Sequence, residues 1–155
     1  MSSPLHLRSI LVPVDFSTSS EQALRQAKAF AAKFGGKITL VHVIESGRYV
    51  GEFTELETGM TEIPRRVEER LRMLVSDSGE PALFGNVEVR AGRPFHEISR
   101  AASELDSDLI VMASLGRSGA ADVLLGSTAE RVVRHAPCPV LVVRELLRPP
   151  SDAAT

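Results

Sequence analysis

The 155-residue sequence has little of several features that mark particular classes of protein. It contains one cysteine, Cys138, which excludes an intrachain disulfide and gives no support to a cysteine-based metal site. The net charge of −2 and the scattered basic residues indicate neither a nucleic-acid footprint nor an anionic-membrane partner. No apolar run approaches the roughly 20 residues that span a bilayer, and the first 17 residues lack the pattern of a signal peptide. We therefore expect a cytoplasmic protein.

Short apolar runs alternate with segments of helical period along the chain. Four runs have the length and β-branched content of strands, at residues 8–14, 37–43, 108–114 and 139–144. Residues 86–92 alternate between apolar and polar side chains and also predict a strand. Apolar residues recur at helical spacing between them, from Ser17 to Gly35, over 63–75 with Pro64 near the first turn, over 93–105 and over 128–136. Residues 45–61 lack a sustained period and predict a long, mobile connection.

This alternation predicts one α/β domain, a doubly wound parallel sheet with helices on both faces. We place the domain at residues 1–145 and expect 146–155 to be a disordered tail. Ligands of such sheets bind beyond the carboxyl ends of the strands, where the strand order reverses. Two strand ends carry polar residues that suit such a site.

The first of these ends is "VPVDFS", in which Asp15 directly follows an apolar strand. Its carboxylate could accept hydrogen bonds from a base or a sugar. A role in capping the next helix, shared with Ser17 and Thr18, explains the same residue and is the commoner one.

The second end is "MASLGRSGAADVLLGST", residues 112–128. Gly116 and Gly126 would let a backbone approach phosphate oxygens, and the amides and hydroxyls of Ser127 and Thr128 would open the next helix as anion donors. The segment lacks the lysine of a P-loop and does not match the G-x-G-x-x-G fingerprint. A glycine-rich turn with no ligand remains the alternative.

Several segments, in order, resemble the universal stress protein (UspA-like) family: "ILVPVDFSTSSEQAL", "KITLVHV", "AGRPFHEI", "SDLIVMAS" and "GRSGAADVLLGSTAERVVRHAPCPVLVVR". The resemblance runs from about Arg8 to Arg144. It implies a five-stranded parallel sheet of order 3-2-1-4-5, the adenine-nucleotide alpha-hydrolase-like architecture. That order would bring Asp15 beside the Gly116–Thr128 loop.

Family members that bind ATP resemble one another in the motif G-2x-G-9x-G-[ST]. This chain has Ala113 in place of the first glycine, and the added methyl group would weaken binding by roughly tenfold if the position needs a positive φ. The resemblance implies ATP, with magnesium, as the ligand. It implies these nucleotide-binding residues: Pro13, Val14, Asp15, Val43, Met112, Ala113, Gly116, Arg117, Gly126, Ser127 and Thr128.

The last strand predicts a partner. Val140, Leu141, Val142 and Val143 are apolar on both faces although the strand should lie at a sheet edge, where an apolar edge invites pairing. The resemblance likewise implies a homodimer joined through this strand.

Three hypotheses of function follow. The first is a homodimeric stress-response module that binds ATP and signals to a downstream protein. The second is a nucleotide-free interaction protein with a degenerate pocket, and the third a slow ATPase. The four histidines have no metal-ligand spacing, and no nucleophile, base and acid can be assembled, so we expect no metal site and no enzyme.

Overall fold

The computed structural model describes residues 5–45, 55–115 and 125–144. Strands and helices alternate along the chain as predicted. The elements are β1 (Ser9–Pro13), α1 (Thr18–Phe34), β2 (Lys37–Ile44), α2 (Glu55–Asp77), β3 (Phe84–Ala91), α3 (Pro94–Glu104), β4 (Leu109–Ala113), α4 (Ser127–His135) and β5 (Val140–Val143). A 3₁₀ turn at Pro81–Leu83, which the sequence analysis did not predict, connects α2 to β3.

The five strands form one parallel sheet in the order β3-β2-β1-β4-β5, which confirms the predicted architecture. The strand order reverses between β1 and β4, because the chain builds outward from β1 first to one side and then to the other. β5 lies at one edge, and its four residues are all partly exposed.

β1 pairs unequally with its two neighbours. Its ladder with β2 runs the full length of the strand to Pro13, but its ladder with β4 has only two pairs and ends at Leu11, opposite Ile110. Successive N–H groups of a strand point to opposite neighbours, and Val14 donates to the carbonyl of Val41 on β2 at 2.8 Å. The N–H that Pro13 lacks would therefore face β4. The two strands part where the order reverses.

The sheet has a hydrophobic core on each face. The first core packs α1 and α2 against the sheet through residues such as Val12, Leu24 and Leu71. The second core packs α3 and α4 against the opposite face through residues such as Ile98 and Val132. The inner strands β1, β2 and β4 are largely buried for this reason, whereas the edge strands β3 and β5 are partly exposed.

α1 begins and ends at the residues that its sequence predicts. Ser17 is the N-cap, and its hydroxyl accepts the backbone N–H of Ser20 at 3.1 Å. Gly35 ends the helix with φ 72, in the left-handed region that glycine adopts without steric cost. The N-cap at Ser17 therefore fixes the residue at which α1 begins after β1, and Gly35 fixes the residue at which it ends.

The predicted start of α2 is wrong. The helix begins at Glu55, so residues 55–61 are helical and do not belong to the predicted connection of 45–61, and Pro64 lies inside the helix rather than near its first turn. Pro64 has no N–H to donate to the carbonyl of Met60, and the remaining turns outweigh that lost hydrogen bond. Residues 46–54 and the predicted tail, 146–155, lie outside the described residues. In the described ranges, no helix is long and apolar enough to cross a membrane.

Candidate functional site

Val14, the residue after β1, is held to β2 by both its N–H and its carbonyl. The N–H of Val14 donates to Val41, and the Val14 carbonyl lies 2.6 Å from Nδ1 of His42, a side chain that is only 4% exposed. Since a carbonyl oxygen only accepts, Nδ1 of His42 must carry the hydrogen. The backbone that leads into Asp15 is thereby fixed in place.

Asp15 does not cap α1 itself. Its Oδ1 accepts both the backbone N–H of Ser17 at 3.0 Å and the Ser17 hydroxyl at 2.5 Å. The hydroxyl oxygen of Ser17 in turn accepts from the first turn of α1, as described above. The capping role that the sequence divided among Asp15, Ser17 and Thr18 falls to Ser17, and Asp15 orients it.

The start of α4 is fixed to the end of β4. Gly126 donates its N–H to the carbonyl of Ser114 at 2.7 Å, and Ser114 donates its own N–H to the carbonyl of Val143 on β5 at 2.9 Å. The Gly126 amide is therefore already occupied. The next three amides, of residues 127–129, have no acceptor in the described part of the chain. Three unpaired N–H groups at the positive end of a helix favour an anion.

The predicted site residues divide between the two faces of the sheet. Val43 and Met112 are buried in the second core together with Ala129, from the first turn of α4. Val14 and Ala113 instead pack against the first core, on the side of α1 and α2. Only the backbones of Val14 and Ala113 can therefore face the side on which α4 begins.

Ala113 has no unusual backbone. It is the last residue of β4 and pairs with Val143, and among the described non-glycine residues only Phe16 and Asp106 have a positive φ. The position therefore does not demand glycine on conformational grounds. Gly126 has an ordinary φ of −67, but a Cβ there would lie 3.1 Å from the Ser114 carbonyl oxygen. Close approach, not φ, favours glycine at 126.

Gly116 and Arg117 lie outside the described residues, so their predicted contacts remain predictions. From the sequence, His42 is predicted only to have a structural role within a strand, and neither Phe16 nor Arg70 is predicted to belong to the site. The Phe16 ring lies 4.9 Å from the His42 ring, and the Arg70 guanidinium carbon lies 3.9 Å from the Phe16 ring centroid. No sequence pattern could have found these contacts, because they join the turn after β1 to β2 and α2.

The clear pKa shifts lie away from the ends of β1 and β4. Burial opposes the charge of Arg90, but hydrogen bonds with Glu104 and Glu88 outweigh it and raise the pKa of that guanidinium. The hydrogen bond with Arg90, 2.6 Å long, lowers the pKa of the Glu104 carboxyl. This network joins β3 to α3 and has a structural role. Within the described ranges, no group of three or more His, Cys, Asp or Glu side chains could hold a metal ion.

The sheet order, the parted strands and the unpaired amides define a doubly wound α/β domain with a candidate anion site at its switch point. The chain belongs to the universal stress protein family, whose model matches residues 6–144. A universal stress protein of Methanocaldococcus jannaschii is 31% identical over 140 residues, which cover 89% of this chain and 82% of that protein.

Two solved structures extend the comparison. The hypothetical protein MJ0577 is 29% identical, with a TM-score of 0.77 over 92% of this chain and 99% of its own. A universal stress protein solved in complex with cAMP is 26% identical, with a TM-score of 0.64 over 90% of this chain and 98% of its own. These likenesses span nearly the whole of each chain, so they concern the domain as a unit.

Proposed function

We propose that this chain is a homodimeric regulatory module that binds ATP at the switch point between β1 and β4. The observation that carries the proposal is the set of amides at residues 127–129, which have no acceptor among the described residues and open α4 beside the separated ends of those two strands. Phosphate groups suit this end of a helix because of its positive partial charge. The related structure with cAMP supports an adenine nucleotide as the ligand.

The residues present fit such a ligand in a particular arrangement. The amides of residues 127–129 and the hydroxyls of Ser127 and Thr128 would hold the phosphates, while Gly126 maintains the contact with β4. Val43 and Met112 would offer apolar surface to the base. The Asp15 carboxylate would accept from ribose hydroxyls. ATP bound with magnesium would supply the charge that the amides meet, and Arg117 remains a predicted phosphate contact.

Binding is tested first with the protein as purified. Denaturation followed by chromatography should release an adenine nucleotide, and calorimetry with ATP and magnesium should give a saturable isotherm. Gly126→Val should abolish binding because its side chain would displace α4 from the Ser114 carbonyl. Gly85→Val is the matched control, since a Cβ at Gly85 meets only ordinary contacts of 3.5 Å or more.

Two other results would assign a different function. If neither copurified nucleotide nor a calorimetric signal is found, the chain is an interaction protein with a degenerate pocket. If phosphate release from ATP is measurable and is abolished by Asp15→Asn or Ser127→Ala, the chain is a slow ATPase. We expect binding without turnover, because the hydroxyl of Ser17 is engaged in capping α1 and no base contacts Ser127 in the described ranges.

The homodimer is proposed to form through β5. Leu141 and Val143 pack against the first core and Val140 against the second, while Val142 contacts neither. Among the described residues, the strand nevertheless presents an apolar edge with no further strand beside it, which is typical of strands that continue into a partner. Size-exclusion chromatography with light scattering should give twice the chain mass at micromolar concentration, and a monomer would refute the proposed dimer.

A further inference from the structure

Phe16, the residue that follows Asp15, has an unusual backbone. Its φ is 63, in the left-handed region, which is a genuine outlier for a bulky side chain. Such strain persists only where the surrounding contacts determine the conformation, and it concentrates at functional sites. A ring needed only to fill the first core would not require this conformation.

Two contacts hold the Phe16 ring. The His42 ring lies 4.9 Å from it, and the Arg70 guanidinium carbon lies 3.9 Å from its centroid, within the range of a cation–π contact. Arg70 belongs to α2 and is partly buried beside Leu71, a core residue of the same helix. The contact therefore joins α2 to the turn that carries Asp15.

His42 connects the same ring to the backbone on the other side of Asp15. Its Nδ1–H donates to the Val14 carbonyl, one residue before Asp15, and its ring contacts Phe16, one residue after. The carboxylate of Asp15 then holds Ser17 at the start of α1. A displacement of the Phe16 ring is consequently transmitted to the backbone on both sides of Asp15.

We infer that Phe16 and Arg70 are positioning residues that link α2 to the ribose side of the proposed nucleotide site, so that α2 responds to occupancy of that site. This inference rests on the proposed function, because it assigns a regulatory output to the same site. α2 tightens on Phe16 when ATP fixes Asp15, and loosening of α2 weakens ATP binding in return, since coupling between two sites is reciprocal.

The first test compares two arginines of one helix. Arg70→Met removes the contact with Phe16, whereas Arg72→Met removes only an exposed pair with Glu68 and is the matched control. Calorimetry with ATP and magnesium should show a Kd that rises about three- to tenfold for Arg70→Met, because the contact tightens on ATP binding and a partly buried cation–π contact is strong enough to supply a coupling of that size. Arg72→Met should bind as the wild type does.

The second test separates positioning from turn geometry. Phe16→Gly adopts a positive φ without strain, so a purely conformational role predicts equal or tighter ATP binding. A positioning role predicts weaker binding, and predicts that Phe16→Gly combined with Arg70→Met weakens it no further than Phe16→Gly alone. Phe16→Tyr, which keeps the aromatic ring, should retain most of the wild-type affinity for ATP that Phe16→Gly loses.

The third measurement reads the helix directly. Hydrogen exchange of α2 amides should slow on addition of ATP in the wild type and in Arg72→Met, but not in Arg70→Met, even at saturating ATP. A wild type that binds no ATP refutes the proposed function and this inference together. A wild type that binds ATP, with Arg70→Met matching Arg72→Met in Kd and in exchange, refutes this inference alone.

Discussion

Replacing Ala113 by glycine should reduce stability while leaving ATP affinity almost unchanged. The motif of the ATP-binding relatives predicts the opposite for affinity, because Ala113 occupies the first glycine position and its methyl group would obstruct the ligand. In the structure, however, the residue ends β4 without a positive φ and packs against the core formed with α1 and α2. The proposed phosphate donors of α4 lie on the other face.

The loss of stability follows from two terms. Glycine in a strand costs about 0.5–1 kcal/mol relative to alanine through backbone entropy. Removal of one partly buried methyl group costs up to about 0.8 kcal/mol. The free energy of unfolding should therefore fall by about 1–1.5 kcal/mol in total, which lowers the Tm by about 3–5 °C for a domain of this size.

The assay combines chemical denaturation with calorimetric titration of ATP. Ala91→Gly is the matched control, since Ala91 also ends a strand but is exposed, so it should lose only the entropic term. The Kd of Ala113→Gly should stay within about twofold of wild type, well under the tenfold that 1.4 kcal/mol would give. A tenfold tighter Kd with no loss of stability would show that the methyl group faces the nucleotide, and would refute the assignment of α4's face to the ligand.

Three further predictions concern other parts of the described chain. Asp108→Ala should lower the free energy of unfolding by about 1.5–3 kcal/mol, because the carboxylate accepts from the amides of Arg8 at 2.9 Å and Ser9 at 3.0 Å. Glu130→Ala, which breaks an exposed ion pair with Arg134, should cost far less, and equal losses in urea denaturation would contradict this account. Burial, and then the charge of Asp108, raise the pKa of the Cys138 thiol. Alkylation by iodoacetamide at about pH 8 should therefore be slower in the native protein than in denaturant and faster again in Asp108→Ala; equal native and denatured rates would contradict it. Val142→Lys should give a monomer by light scattering, because a charge on an edge strand blocks pairing. Its Kd for ATP should be unchanged, because Val142 is in neither core of the described residues. A dimer that persists would place the interface elsewhere.

The sheet was predictable because its strands carry a signal that depends on local sequence. Four of them are short apolar runs bounded by polar residues, and β3 alternates between apolar and polar residues, which is the other local pattern typical of a strand. α2 shows the limit of this reasoning. Residues 55–61 contain a glycine and have Leu56 and Met60 as their only large apolar residues, too few to establish a helical period, and a proline such as Pro64 is typical of the first turn of a helix.

The candidate site was predictable in part, for a different reason. Strand order places Asp15 and the start of α4 at neighbouring strand ends, and the family resemblance supplies that order. The φ of Phe16 could not be predicted, since propensity argues against a left-handed phenylalanine. Its partners His42 and Arg70 lie 26 and 54 residues further along the chain, and no local pattern links them. Contacts made by packing determine this part of the site.

The first and third glycine positions of the motif, occupied here by Ala113 and Gly126, differ in what they require of the backbone. At position 113, the extended backbone tolerates any small side chain, and the methyl group of alanine finds room in the core behind the sheet. At position 126, φ tolerates any residue, but the amide must reach the Ser114 carbonyl at 2.7 Å, and a Cβ would lie 3.1 Å from that same oxygen. A side chain at 126 would therefore push the first turn of α4 from β4 and carry the three unpaired amides with it. Loss of the first glycine with retention of Gly126 is consequently compatible with a functioning phosphate site, because the close approach that builds the site is made at position 126.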